Sequence, residues 1–100
     1  MSGPAIISAV TVAGQDLPAY TIQLNPAPLV LVNAPQGFVM CGFLDIAAAE
    51  KLQAAACVVT GIKNPAELLA KPVVRLTPQA AALGIAVGMS GREALEKMLS

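Results

Sequence analysis

The chain contains no histidine and no tryptophan, and only three of its 100 residues are aromatic: Tyr20, Phe38 and Phe43. Without histidine, every mechanism in which an imidazole serves as base to a serine or cysteine is excluded. The usual nitrogen ligand for zinc is missing as well, and the two cysteines, Cys41 and Cys57, lack ligand spacing, so neither a metal nor another cofactor is expected. Charge is scarce. Asp, Glu, Lys and Arg make up 12% of the chain, where about 25% is usual, and the formal net charge is zero. With no basic run and few stacking platforms, nucleic acid is not an expected partner. No stretch approaches about 18 uninterrupted apolar residues, so a membrane span is not expected either. The opening Met1-Ser2-Gly3-Pro4 lacks the basic region of a secretory signal, and two cysteines without any sign of export read as reduced thiols in the cytoplasm.

What is present is apolar. The hydrophobic set reaches 56%, and a chain of this size buries only roughly 60 to 70% of the surface that its unfolded form exposes. Association with further copies is the natural outlet. Alanine weakens the compositional case, since 19 residues are alanine and each covers little area. The position of the charges strengthens it. Residues 1–44 carry one charge, Asp16, and residues 45–100 carry the other eleven. A surface so nearly free of charge invites aggregation unless it is covered. The reading is a single α+β domain over residues 1–100, in which 1–44 is a β-rich oligomerisation region and 45–100 is mixed α/β.

Local patterns fill in that outline. Ala5–Val12 is rich in Ile and Val and reads as a strand, followed by a turn cluster at Gly14-Gln15-Asp16-Leu17-Pro18. Tyr20–Asn25 alternates apolar with polar residues, as a strand with one covered and one wet face would. Leu29–Val32 is apolar on both faces, which suits a central strand, and Phe38–Cys41 is a short strand after the turn at Asn33–Gly37. Four such strands with tight turns should pair antiparallel. Beyond Gly42, helices and strands alternate. Asp45 reads as the N-cap of a helix over 46–53 with Ile46, Ala49 and Leu52 inward, and Ala55–Val59 as a buried strand. Asn64-Pro65-Ala66-Glu67 starts a short helix, Pro72–Leu76 is an edge or entry strand, and Thr77 caps a helix stopped by Gly84. Ile85–Met89 reads as an extended link. Ser90-Gly91-Arg92-Glu93 is a capping box opening a last helix to about Leu99, with Ala94, Leu95, Met98 and Leu99 inward and a Glu93–Lys97 pair on its surface.

Three of these segments carry a resemblance: Gly37–Ile46 with Ala49-Glu50-Lys51-Leu52, then Val58-Val59-Thr60-Gly61-Ile62, and Leu83-Gly84-Ile85 with Val87–Leu95. Over residues 29–98 their order and spacing are similar to those of the domain-of-unknown-function family typified by the YunC protein. The resemblance implies an N-terminal β region that assembles tetramers, and it implies no activity. Asp45 and Phe43 stand where Asn and Tyr are expected from the resemblance.

Three places could carry chemistry. Cys41, at a strand end close to a helix start, could be a thiol nucleophile or redox group, against the plainer reading of a buried inert cysteine; Cys57, inside an apolar strand, reads as structural. Ser90, Gly91 and Arg92 combine free N–H groups with a guanidinium and could hold a small anion, against the plainer reading of a capped helix with a surface arginine. Thr60 and Gly61 lie in a loop after a central strand, where ligands often bind. The sequence therefore reads as a cytoplasmic homo-oligomer, a tetramer, that binds a small molecule or a protein partner. The alternative is an enzyme or redox sensor in which Cys41 attacks and Arg92 orients an anionic substrate.

Overall fold

Six strands make one sheet in the order in which they occur along the chain: β1 (Ile6–Val12), β2 (Gln15–Ile22), β3 (Leu29–Ala34), β4 (Gly37–Met40), β5 (Ala56–Val58) and β6 (Arg75–Leu76). The computed structural model describes residues 6–24, 27–42 and 46–99. Strands β1 to β4 form an antiparallel meander, as the short turns between them require. Strand β5 then lies parallel to β4, and β6 closes that edge antiparallel to β5. Helices α1 (Ile46–Lys51), α2 (Pro65–Ala70), α3 (Pro78–Ala82) and α4 (Gly91–Glu96) complete the α+β fold.

The first turn is tighter than the sequence suggests. Ala13 and Gly14, at φ +50° and +83°, make a two-residue hairpin turn that brings Val12 opposite Gln15. Positive φ at both positions matches the right-handed twist of the flanking strands. Gln15 to Pro18 therefore belong to β2 and not to the turn. Pro18 is tolerated because the β2–β3 pairing begins only at Ala19 opposite Val32, so its missing N–H removes nothing from that ladder.

The register sorts side chains onto two faces. On one face lie Val12, Leu17, Ala19, Val30, Val32, Val39 and Cys57, all buried beneath α2 and α4 with Leu68, Leu95 and Met98. The other face has a single helix. Helix α1 covers the β4–β5 end, where Met40, Ala49, Ala56 and Val58 pack with Leu31, Phe38 and Ile46. Toward β1 that same face carries Ile7, Tyr20 and Ile22, and no helix among the described residues packs on it. Ile7 is 72% exposed and Ile22 38%, whereas Thr21, between Tyr20 and Ile22, is 6% exposed. The alternation in β2 is real, but it is inverted relative to expectation: within one chain the polar Thr21 is covered, Tyr20 is half-buried and Ile22 is exposed.

Other expectations change at element ends. Asp45, expected to cap α1, lies outside the described residues. Helix α1 stops at Lys51, because Gln53 takes a left-handed φ of +59° and the Ala54 N–H reaches back to the Ala49 carbonyl. That reversal turns Leu52 outward to 81% exposure, so it is not on the inner side. The capping box at Ser90 forms as read, but Glu93 gives its carboxylate to the Ser90 N–H and makes no ion pair with Lys97, whose stem lies over Gly84 instead. The stretch 85–89 is not one extended link: it turns at 87–88 and bends at Met89, with Gly88 at φ +100°, and Pro72 bridges to Ser90. Helix α4 ends at Glu96, and single turns of hydrogen bonds continue it to Leu99.

Gly91 is fixed by close packing. A Cβ there would collide with the Leu68 carbonyl of α2, while the Gly91 N–H bonds the Lys71 carbonyl at 2.9 Å. Alanine normally improves a helix over glycine by about 0.5–1 kcal/mol. Gly91→Ala should instead lower stability by about 1–3 kcal/mol in chemical denaturation, because backbone must move to admit the methyl group.

Candidate functional site

The parallel pairing of β4 and β5 determines where the chain leaves its carboxyl-terminal strand ends. The crossover after β4 runs through α1, which lies on the sparsely covered face; after β5 the chain passes through Val59 and Thr60 to α2, which lies on the opposite face. The two connections diverge, and the strand ends between them stay open. Crevices outside the carboxyl ends of parallel strands are where α/β proteins commonly bind ligands.

Two hollows occupy this place and share Gly42 and Thr60 in their walls. One, of about 390 Å³, is lined by Gly42, Ile46, Val58, Thr60, Val74 and Arg75. The other, of about 260 Å³, adds Cys41, Gly61 and Ile62 beside Pro28. Arg75 stands opposite Val58 in the β5–β6 register, which places it on the face that α1 covers. The loop is held from its far side, where the Asn64 side chain accepts from the Glu67 N–H at 2.9 Å and Glu67 accepts from the Lys63 N–H at 2.7 Å. On the near side, the backbone N–H groups of Gly42, Thr60 and Gly61 meet no acceptor among the described residues, and Arg75 has no partner there either. None of the described residues lining the two hollows is acidic.

Sequence reasoning placed Thr60 and Gly61 at a strand-end loop, and they do line the hollows. Cys41 joins them, which sequence distance hid. Arg75 was missed, although a lone charge in the apolar run Pro72–Leu76 was its signal. Ser90, Gly91 and Arg92 lie elsewhere and are engaged: the Ser90 hydroxyl accepts from the Glu93 N–H at 3.1 Å, and Arg92 Nη1 donates to the Thr11 carbonyl at 3.2 Å. Among the described residues no group of three or more His, Cys, Asp or Glu gathers to hold a metal, and no helix is long and apolar enough to cross a membrane.

A family model described as a domain of unknown function, DUF1805, matches residues 40–98, the stretch that contains both strand ends and their loops. The chain belongs to the DUF1805 family. It is 38% identical over 97 residues to the uncharacterised protein YunC of Bacillus subtilis (strain 168), a match that spans 93% of this chain and 96% of that one. Its fold is similar to the crystal structure of a protein of unknown function, TA1206, from Thermoplasma acidophilum, with a TM-score of 0.91 and 26% identity over 98% of this chain and 96% of that one.

The two thiols of this DUF1805 chain are both reduced and buried. Cys41, 5% exposed, accepts from the Val30 N–H through Sγ at 3.4 Å and forms part of the smaller hollow's wall. Cys57 is fully enclosed between β4 and β6, and burial pushes its thiol up to about 11 from an ordinary value of 9.0. Below pH 9 the thiol is protonated in folded and unfolded chains alike. Between about pH 9 and 11 only the unfolded chain loses that proton, so stability should fall as pH rises through this window. Melting temperatures across the window should drop less steeply in Cys57→Ala than in the parent protein.

Proposed function

We propose that the chain works as a cytoplasmic homo-oligomer, a tetramer, whose copies join through the bare face of β1 to β3, and that the assembly binds a small molecule. The carrying observation is that bare face. It combines Ile7, Tyr20 and Ile22, continues past the strand to Leu24 at 44% exposure, and holds no charge except Asp16. Asp16 sits beside the hairpin turn, where it accepts from the Thr11 hydroxyl at 2.7 Å, four residues from Tyr20. Ile6, 54% exposed on the opposite face of β1, extends the apolar surface around the strand end.

A second copy is the occupant that fits best. A twofold interface sets the same patch against itself, and an uncharged apolar patch meets no like-charge repulsion when it does so. That contact closes a dimer, and a second twofold contact through a different patch, for which the exposed Ile6 on the opposite face of β1 is the candidate, makes the tetramer. The two free thiols are in keeping with a reducing compartment such as the cytoplasm. The enzymatic alternative draws no support from the geometry, because Arg92 is tied to Thr11 in the hairpin while Cys41 lies in the strand-end hollow, and no imidazole is available as a base.

Light scattering coupled to gel filtration at micromolar concentration should give four times 10.1 kDa. A clean monomer would overturn the assembly. Ile22→Lys should dissociate or precipitate the protein, since each lysine would be buried unpaired at the contact.

A further inference from the structure

We propose that the two adjoining hollows at the carboxyl ends of β4 and β5 bind a small organic anion, with Arg75 and the N–H groups of Gly42 and Thr60, and of Gly61 where the hollows meet, holding the anionic head and Ile46, Val58 and Val74 receiving a short apolar body. This rests on reading the protein as a small-molecule binder, and it holds whatever the number of copies. The donors come from three separate elements: the end of β4, the loop after β5 and strand β6. All of them point to one kind of ligand, since guanidinium and N–H groups donate hydrogen bonds and accept none.

Among the described residues these groups have no acceptor. Some loop N–H groups close on internal acceptors, Gln36 on Met98, Gly88 on Val73 and Gly91 on Lys71, each at 2.9 Å, whereas others, such as those of Ile62, Ala86 and Val87, meet none among the described residues. Gly42 and Thr60 are set apart by their place: they share a hollow with Arg75, the one arginine that has no partner among the described residues, Arg92 being bound to Thr11, and Gly61 lines the adjoining hollow. Gly61, at φ +72°, has a backbone conformation that turns the loop sharply at that point.

The remainder of the wall decides the body of the ligand. Val74 is 43% exposed although valine is normally covered, and it faces the same hollow as Ile46 and the buried Val58. The volume of about 390 Å³ is at the small end for ligand pockets. A bare inorganic ion would leave this apolar wall wet; a branched short-chain acid or a small phosphate ester would cover it.

Gly42 offers a way to close the hollow without damaging the fold. A Cβ at this position would meet only Thr60 Cγ2, at an ordinary contact distance of 3.6 Å. Gly42→Ala should therefore fold normally while narrowing the space between the two strand ends.

The test is a ¹⁵N and methyl NMR titration of the full chain with isovalerate and, separately, with inorganic phosphate. Both probes should move the amide signals of Gly42, Thr60 and Gly61, and isovalerate should also move the methyl signals of Ile46, Val58 and Val74. The tighter probe tells a carboxylate head from a phosphate head. Arg75→Gln should weaken the response about tenfold or more, Gly42→Ala should reduce it, and Arg92→Gln should leave it unchanged, with unperturbed spectra elsewhere showing that each variant is folded. Absence of these shifts at tens of millimolar probe, their location at Ser90–Arg92 instead, or an undiminished response in Arg75→Gln would overturn the proposal. Since oligomeric mass is read separately, failure here is distinguishable from failure of the assembly.

Discussion

A sheet has two faces, and this chain has helices enough for little more than one. Packing of Leu68, Leu95 and Met98 onto Val30, Val32 and Val39 uses α2 and α4 to cover one face almost completely. The six residues of α1 are all that remain for the other, and they reach only β4 and β5. Burying apolar surface contributes roughly 25 cal/mol per Å², so a face that leaves Ile7 exposed and Tyr20 and Ile22 partly exposed forgoes a gain that another copy could supply. The scarcity of charge in residues 1–44 is the sequence-level form of the same constraint.

The parallel step from β4 to β5 has a second consequence. A meander alone would have covered its strand ends with tight turns. A parallel pair needs a crossover, and because the next helix after β5 goes to the opposite face, the two strand ends are left open between diverging chains. The fold thus separates its two uncovered regions. The apolar face lies at the β1 side of the sheet, and the crevice, with donors that have no acceptor among the described residues, lies at the β5 side, near α1. One suits a copy of the chain; the other has the size and the hydrogen-bonding character for a small ligand.

Much of this was legible in the residues. The antiparallel meander, the caps at Asn64, Thr77 and Ser90, and the stop at Gly84 depend on local chemistry, so they could be read locally. What could not be read depends on partners distant in sequence. The alternation in Tyr20–Asn25 marked two faces without saying which was inside, since that is decided by helices 40 to 70 residues further on. Leu52 turned outward because Gln53 ends α1 with a left-handed backbone, an uncommon choice for glutamine. Arg75 entered the crevice through its register with Val58, which no local pattern announces. Ser90, Gly91 and Arg92 looked available in sequence, and the close approach of α4 to α2 and to the hairpin engages them.

Whether the bare face is covered in solution can be read from one side chain. Tyr20 is the only tyrosine, no tryptophan is present, and Tyr20 lies on that face between Ile7 of β1 and Leu31 of β3. Collisional quenching of its fluorescence by acrylamide, followed over a dilution series, therefore reports directly on the contact. Assembly through the sheet requires Tyr20 to be shielded at micromolar concentration and to become accessible on dilution or in Ile22→Lys. Quenching that is strong at every concentration and identical in the parent and the variant would contradict it.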